Sequence, residues 1–198
     1  MPSDVRRSAD RFTTERPGST SRYCFSFGHH YDPDNTAFGP VVAVNDEQVE
    51  AGAGFDEHAH GGVVIVTYVA SGSLVHQGIS RHELHAGEVA VFRAGAASTH
   101  SEHALDGPVR FVQTWLTTTD TAVAYDVVRG PVVVDGVTVL AGRLPPQSFT
   151  GHLFVVTGSV VVGDLVLEEG DSLRTTEQVA MAPKEGSELV LVLTPSAT

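Results

Sequence analysis

The chain has 198 residues and a mass of 20.9 kDa, with 12 basic residues against 24 acidic ones and a formal net charge of −12 at pH 7. That balance argues against binding the nucleic-acid backbone, while 41% hydrophobic residues and a mean hydropathy of +0.03 indicate a globular protein with material for a core. No run of about 18 apolar residues and no signal-like apolar segment occurs, so a cytoplasmic protein with no membrane partner is expected, and the one cysteine excludes an internal disulfide.

Residues 1–21 are polar and charged with little periodicity, which predicts an arm over the surface, frayed at its start. Tyr23–Phe27 alternates like a strand, with Cys24 a small packed side chain rather than a nucleophile. Gly28–Pro40 carries the turn chemistry of Asp32-Pro33-Asp34-Asn35. His29 and His30 lie there; being adjacent, at most one could reach a given site, and both read as loop histidines. Val41–Asn45 is a second predicted strand, followed by a Gly-rich connector to Gly54.

His58-Ala59-His60 then leads into the β-branched run Val63–Val69. Residues two apart in an extended chain share a face. His58 and His60 can therefore point into one cavity, which is half of a metal site. Ser71-Gly72-Ser73 predicts a hairpin to Ser73–Gln77, with His76 behind the site or at the surface. His82 and His85 are expected to face solvent. Gly87 opens a segment running through Val89–Phe92 and the small residues 94–98 to Thr99-His100-Ser101-Glu102. Two such pairs on neighbouring strands would offer three nitrogens and one carboxylate oxygen to a single ion. His103, by parity, turns away from His100. Val109–Leu116 is mixed on both faces, as a strand within a closed β structure would be.

From about residue 120 come short Val-rich segments separated by Gly-containing turns, the pattern of a second barrel-like half. VTYVASGSLVHQ is echoed by FVVTGSVVVGD, and HAGEVAVF by LEEGDSLR, the trace of a duplicated unit. The second copy has only His152, so it is expected to be structural and without metal. No stretch keeps an amphipathic helical period. The expected fold is all-β, with two β-barrel-like halves at 1–119 and 120–198 and a metal site in the first.

The pieces FSFGHHYDPDNTAFGPVVAVNDEQVEAGAGF, HAH, VTYVASGSLVH, HAGEVAVFRAGAASTHSE and VRFVQTWL, together covering roughly residues 22–117, resemble the pirin and bacterial pirin-like proteins of the cupin superfamily. That resemblance implies a bicupin of two jelly-roll halves, the second shortened and degenerate. It implies His58, His60, His100 and Glu102 as metal ligands, with Glu102 also accepting a substrate proton. It implies one divalent transition metal, Fe(II) first, with Ni, Mn, Co, Cu or Zn as the other candidates. The implied activity is that of a quercetin 2,3-dioxygenase, which opens a flavonol ring with O₂ and releases carbon monoxide. The small-molecule substrate and O₂ are then the partners. The alternative it implies is a non-catalytic metal sensor or co-regulator with a protein partner. Phe25, Phe27, Phe38, Tyr68, Phe92, Phe111 and Trp115 are candidate pocket walls. The chain departs from the family in placing Gly61-Gly62-Val63-Val64 where an arginine, a glycine and an acidic residue usually follow the histidine pair.

Overall fold

The computed structural model describes residues 3–194, which form nineteen β-strands and one short 3-10 turn at Ser8–Asp10. They group into two compact units, Phe12–Arg129 and residues 3–11 with 130–194. Strand β1 (Ser3–Arg6) belongs to the second of these.

The larger unit contains β2 (Phe12–Arg16), β3 (Ser19–Tyr23), β4 (Val41–Val49), β5 (Gly54–His60), β6 (Val63–Ser71) and β7 (Ser73–Gln77). It continues with β8 (Arg81–His85), β9 (Val89–Ala94), β10 (Ser98–Ala104), β11 (Val109–Thr117) and β12 (Val123–Val128). Seven strands pair in the order β12-β9-β6-β11-β4-β3-β2, and four in the order β5-β10-β7-β8. Both sheets feed one core: Val49, Val69 and Phe111 from the first pack with Leu74, Leu84 and Ala104 from the second. Removing these apolar side chains from water is the main favourable term holding the two sheets together.

The smaller unit adds β13 (Val132–Val134), β14 (Val137–Gly142), β15 (Gln147–Thr157), β16 (Ser159–Val162), β17 (Leu165–Glu168), β18 (Ser172–Pro183) and β19 (Glu188–Leu193) to β1. They form one sheet, ordered β13-β14-β19-β15-β18-β16-β17, with β1 on β18. Its core gathers Phe149, Leu153, Val160, Leu167, Leu173 and Leu191 from five strands. The chain is thus an all-β bicupin, although among the described residues no sheet closes into a barrel.

Several elements differ from the sequence reading. Residues 3–21 are not a loose arm. The β2–β3 hairpin extends the seven-stranded sheet, burying Ser19, Ser21 and Tyr23 while Thr20 and Arg22 stay partly exposed, a period of two written in small polar residues. Residues 1–2, where fraying was expected, lie outside the described residues. The division also falls later than residue 119, because β12 pairs with β9 over its whole length, and β1 reaches the smaller unit by pairing with β18.

The predicted hairpin at Ser71-Gly72-Ser73 is a corner between sheets. β6 pairs with β9 and β11, whereas β7 pairs with β8 and β10. Gly72 sits at φ +76°, and a Cβ there would collide with the Pro108 carbonyl, so the crossing requires glycine.

Candidate metal centre

His58-Ala59-His60 ends its own strand, β5, rather than leading straight into β6; Gly61 and Gly62 (φ +67°) turn the chain from one sheet to the other. β5 lies antiparallel to β10 with His58 directly opposite His100. The register shifts between His100 and Glu102, so that Phe55 faces Glu102. This bulge adds one residue to β5 and lets Phe55 and His58, three apart, line the same pocket.

The donor atoms of His58, His60 and His100 lie within 4.8 Å of one another. The His58 Nδ1–H donates to the Asp56 carbonyl at 2.7 Å, leaving Nε2 as the lone-pair nitrogen. His100 Nδ1 and His76 Nε2 share a hydrogen bond at 2.6 Å. With His100 as its donor, the His100 Nε2 lone pair is also free, and that atom and the His60 Nε2 are buried with no protein partner. Phe92 stacks on His100 with ring centroids 4.7 Å apart, and Trp115 meets His60 edge-on at 4.6 Å. Glu102 falls in an overlapping group with His76 and His100, its donor atoms again within 4.8 Å.

The electrostatics follow from burial. Loss of solvent pushes His60 down to about 4, with His58 adding to the effect, and pushes His100 lower still, helped by His76. Both rings are neutral at pH 7 and so available as ligands. Burial pushes the Glu102 carboxyl up to about 8, against the opposing hydrogen bond from Gln113, with Glu47 raising it further. Glu47 itself is raised to about 7 by burial, against a hydrogen bond from Ser21. The site is rich in lone pairs and short of positive charge. A divalent cation would supply what is missing and would favour the carboxylate form of Glu102.

The histidines open onto a cavity of about 210 Å³ lined by Arg16, Ser21, Tyr23, Phe27, Asn45, Glu47, Phe55, His58, His60, Glu102, Gln113 and Trp115. Gln113 Nε2 donates to both Glu102 oxygens, at 2.8 and 3.0 Å, and Trp115 Nε1 donates to Gln113 Oε1 at 3.2 Å. The indole thereby fixes which end of the carboxamide meets Glu102. A roomier hollow of about 660 Å³ beside Arg16, Gln48 and Arg110 holds none of the histidines. Its Arg110 is tied to Asp46 at 2.9 and 3.1 Å, so the smaller cavity is the chemically equipped one.

The remaining expectations sort as follows. His30 stacks on Phe12 and meets Thr14 Oγ1 at 3.0 Å, away from the cavity. His76 is buried behind His100 rather than at the surface. His82 is half-buried and stacks on Tyr125 at 4.3 Å, whereas His85 is exposed. His103 turns away, 3.8 Å from Asp56. Cys24 is buried, and His152 lies buried in the smaller unit. Of the expected aromatic walls only Phe27 and Trp115 line the cavity. Tyr23 and Phe55 were missed, Phe55 because a bulge cannot be seen in a two-residue period.

The Pirin family profile matches residues 5–116. A Mycobacterium tuberculosis H37Rv protein named "putative quercetin 2,3-dioxygenase" is 31% identical over 227 aligned positions, covering 95% of this chain and 93% of that protein. The quercetin 2,3-dioxygenase of Escherichia coli K12 is 34% identical over 101 residues, which is 50% of this chain and 44% of that enzyme. Among solved structures, the E. coli bacterial pirin YhhW in complex with nickel(II) superposes with a TM-score of 0.89 at 23% identity, covering 98% of this chain and 100% of that one. A Lactobacillus farciminis oxalate decarboxylase shares the bicupin arrangement at a TM-score of 0.67 and 11% identity, a likeness of fold alone. With a profile spanning most of the larger unit and a relative matched along nearly its whole length, this chain belongs to the pirin family of the cupin superfamily.

Proposed function

We propose that the chain is a metal-dependent dioxygenase acting on a flavonol-type chelating substrate, with His58, His60, His100 and Glu102 holding one divalent transition metal, Fe(II) first. The observation that carries this reading is the ring of three imidazoles, two of them with buried unpartnered Nε2 atoms, beside a buried carboxyl and an apolar-walled cavity. Four protein donors leave a six-coordinate ion two positions, unlike a closed structural zinc site. When bound, the ion supplies Lewis acidity to a chelating hydroxy-ketone and a centre for O₂ chemistry.

The chain's own groups do the rest. The Asp56 carbonyl and His76 hold the His58 and His100 rings in the tautomer that turns lone pairs inward. Glu102 is placed to accept the proton of the ligand's hydroxyl, and the two hydrogen bonds from Gln113 stabilise its charged form. Tyr23, Phe27, Phe55 and Trp115 present ring surface to a planar ligand and exclude water from around it. The relatives named for quercetin dioxygenation support the same reading.

The test is metal analysis of natively purified protein, then O₂ consumption over a flavonol series, for wild type and Glu102→Gln. The Gln variant should keep most of its metal on three imidazoles yet lose on the order of 10²–10⁴ in rate, since an amide cannot take the proton. Metal and activity falling together would reduce Glu102 to a ligand only. No flavonol turnover with iron, nickel, manganese, cobalt or copper would overturn the dioxygenase reading.

A further inference from the structure

The cavity has a second polar wall that metal binding does not use. Asn45 and Glu47 stand two apart on β4 and project from one face. In register beside them are Tyr23 and Ser21 on β3, and Gln113 lies opposite Asn45 on β11. All of these line the histidine cavity. Asn45 is 2% exposed and Glu47 is 5% exposed, and Asn45 Oδ1 and Glu47 Oε2 have no protein donor. The Glu47 carboxyl does take a hydrogen bond from Ser21. The nearby donors are committed: Gln113 Nε2 to Glu102, with a longer contact to Thr67 Oγ1 at 3.4 Å, Trp115 Nε1 to Gln113, and Arg16 Nη1 to Ser21 Oγ at 3.4 Å, the Arg16 charge also acting on Glu47. Two buried acceptors thus line the cavity without a protein hydrogen bond to fill them. Native interiors rarely leave such atoms without a role.

We propose that Asn45 and Glu47 are a ligand-recognition pair that receives a hydroxyl group remote from the chelating end. The inference rests on the proposed chelate reading and narrows its substrate class. The preferred ligand is a hydroxy-ketone or enol chelator bearing a second hydroxyl, whose hydrogen the Asn45 and Glu47 oxygens accept. A chelator without it leaves both acceptors desolvated and unpaired. At about 210 Å³ the cavity is smaller than the roughly 300–1,000 Å³ of drug-sized sites. It therefore takes one substituted ring, and the rest of a larger ligand extends outside.

The experiment is anaerobic calorimetry on the nickel(II)-loaded full chain with two matched pairs of probes. Kojic acid and allomaltol differ by one hydroxyl at the far side of the ring; quercetin and 3-hydroxyflavone share the chelating group and differ in peripheral hydroxyls. In wild type, the hydroxylated member of at least one pair should bind roughly five- to hundredfold tighter. Glu47→Met and Asn45→Leu should each shrink that ratio, while the unhydroxylated member keeps its affinity and so reports an intact fold. Equal affinities within both pairs, or a preference surviving both variants, would overturn the recognition pair while leaving chelation standing. If nickel is bound but no probe binds, the chelate reading itself fails, and the proposal falls with it.

Discussion

The two units are built on one frame, and among the described residues only the larger one clusters its imidazoles. In the larger unit, Val69 N donates to Glu88 O at 3.1 Å and Gly87 N donates to Val69 O at 2.8 Å. In the smaller, Val155 N donates to Asp171 O at 3.0 Å and Gly170 N donates to Val155 O at 2.8 Å. Gly72 and Gly158, each three residues past the valine, sit at φ +76° and +77°. Leu74 and Val160, each five residues past the valine, pair with Ala104 and Pro183. Two and four residues back from those partners stand Glu102 and His100 in the one unit and Met181 and Val179 in the other, and Phe149 lies opposite Val179 as His58 lies opposite His100. The second histidine-bearing strand differs too: β9 and β10 are separated by Gly95, whereas β18 runs unbroken through both pairings, with β15 and with β16. The frame therefore folds with apolar residues at these positions, where Phe149 and Met181 are buried in the core and Val179 packs against it. The larger unit instead buries nitrogens with no protein partner, at a cost of about 1–3 kcal/mol each. Burial at that cost is what a site kept for a ligand shows, in line with the proposed metal centre.

The comparison breaks most visibly if the ring is dismantled. His60→Ala and His100→Ala should each reduce affinity for Ni(II) or Fe(II) by more than the roughly 10–100-fold that loss of a supporting partner causes. Because the smaller unit carries an apolar residue, Val179, at the His100 position, melting of the metal-free His100→Ala protein should change little or rise. Unchanged metal content in either variant would remove these rings from the ligand set.

A smaller effect belongs to His76, which in the proposed centre acts through its hydrogen bond to His100. His76→Phe should lower metal affinity about 10–100-fold, because the His100 ring loses the partner that fixes its tautomer. His76→Gln, which retains an acceptor, should recover part of the loss. A purely structural role would lower stability equally in both variants and leave the affinity of the folded fraction intact; calorimetric titration separates the two.

Sequence periodicity made the pairs His58/His60 and His100/Glu102 legible, because a two-residue spacing survives in any extended chain. The duplication was also legible, through the glycines that turn the chain at equivalent corners. What stayed hidden was partnership. Nothing local says that β7 pairs with β10 rather than β6, so His76 could not be placed behind His100. Residues 12–21 looked like an arm because a hairpin rich in Ser and Thr shows no apolar alternation. Asn45 and Glu47 read as strand end and connector, because a polar face turned inward looks, in sequence, like one turned to solvent.

The finest distinction between the units is in how each uses a buried neutral histidine. Burial pushes His152 down to about 3, with the Arg174 charge adding to the effect. Its ordinary value is near 6.5, so below that pH the unfolded chain takes up a proton that the folded one refuses. The contribution is fully favourable to folding above about 6.5 and is lost as pH falls towards 3, at about 1.4 kcal/mol per pH unit. His152→Leu removes the titrating group while keeping an apolar side chain between Arg174 and Val192 of the flanking strands. Native-state hydrogen exchange at the β15 amides, corrected for intrinsic rates between pH 6.5 and 4.5, should then show a shallower acid slope in the variant, by up to about 1.4 kcal/mol per pH unit. Measuring at β15 keeps the result separate from acid release of metal in the larger unit. Identical slopes in both proteins would mean that His152 takes its proton in the folded state as readily as in the unfolded one, and that burial alone does not hold it neutral.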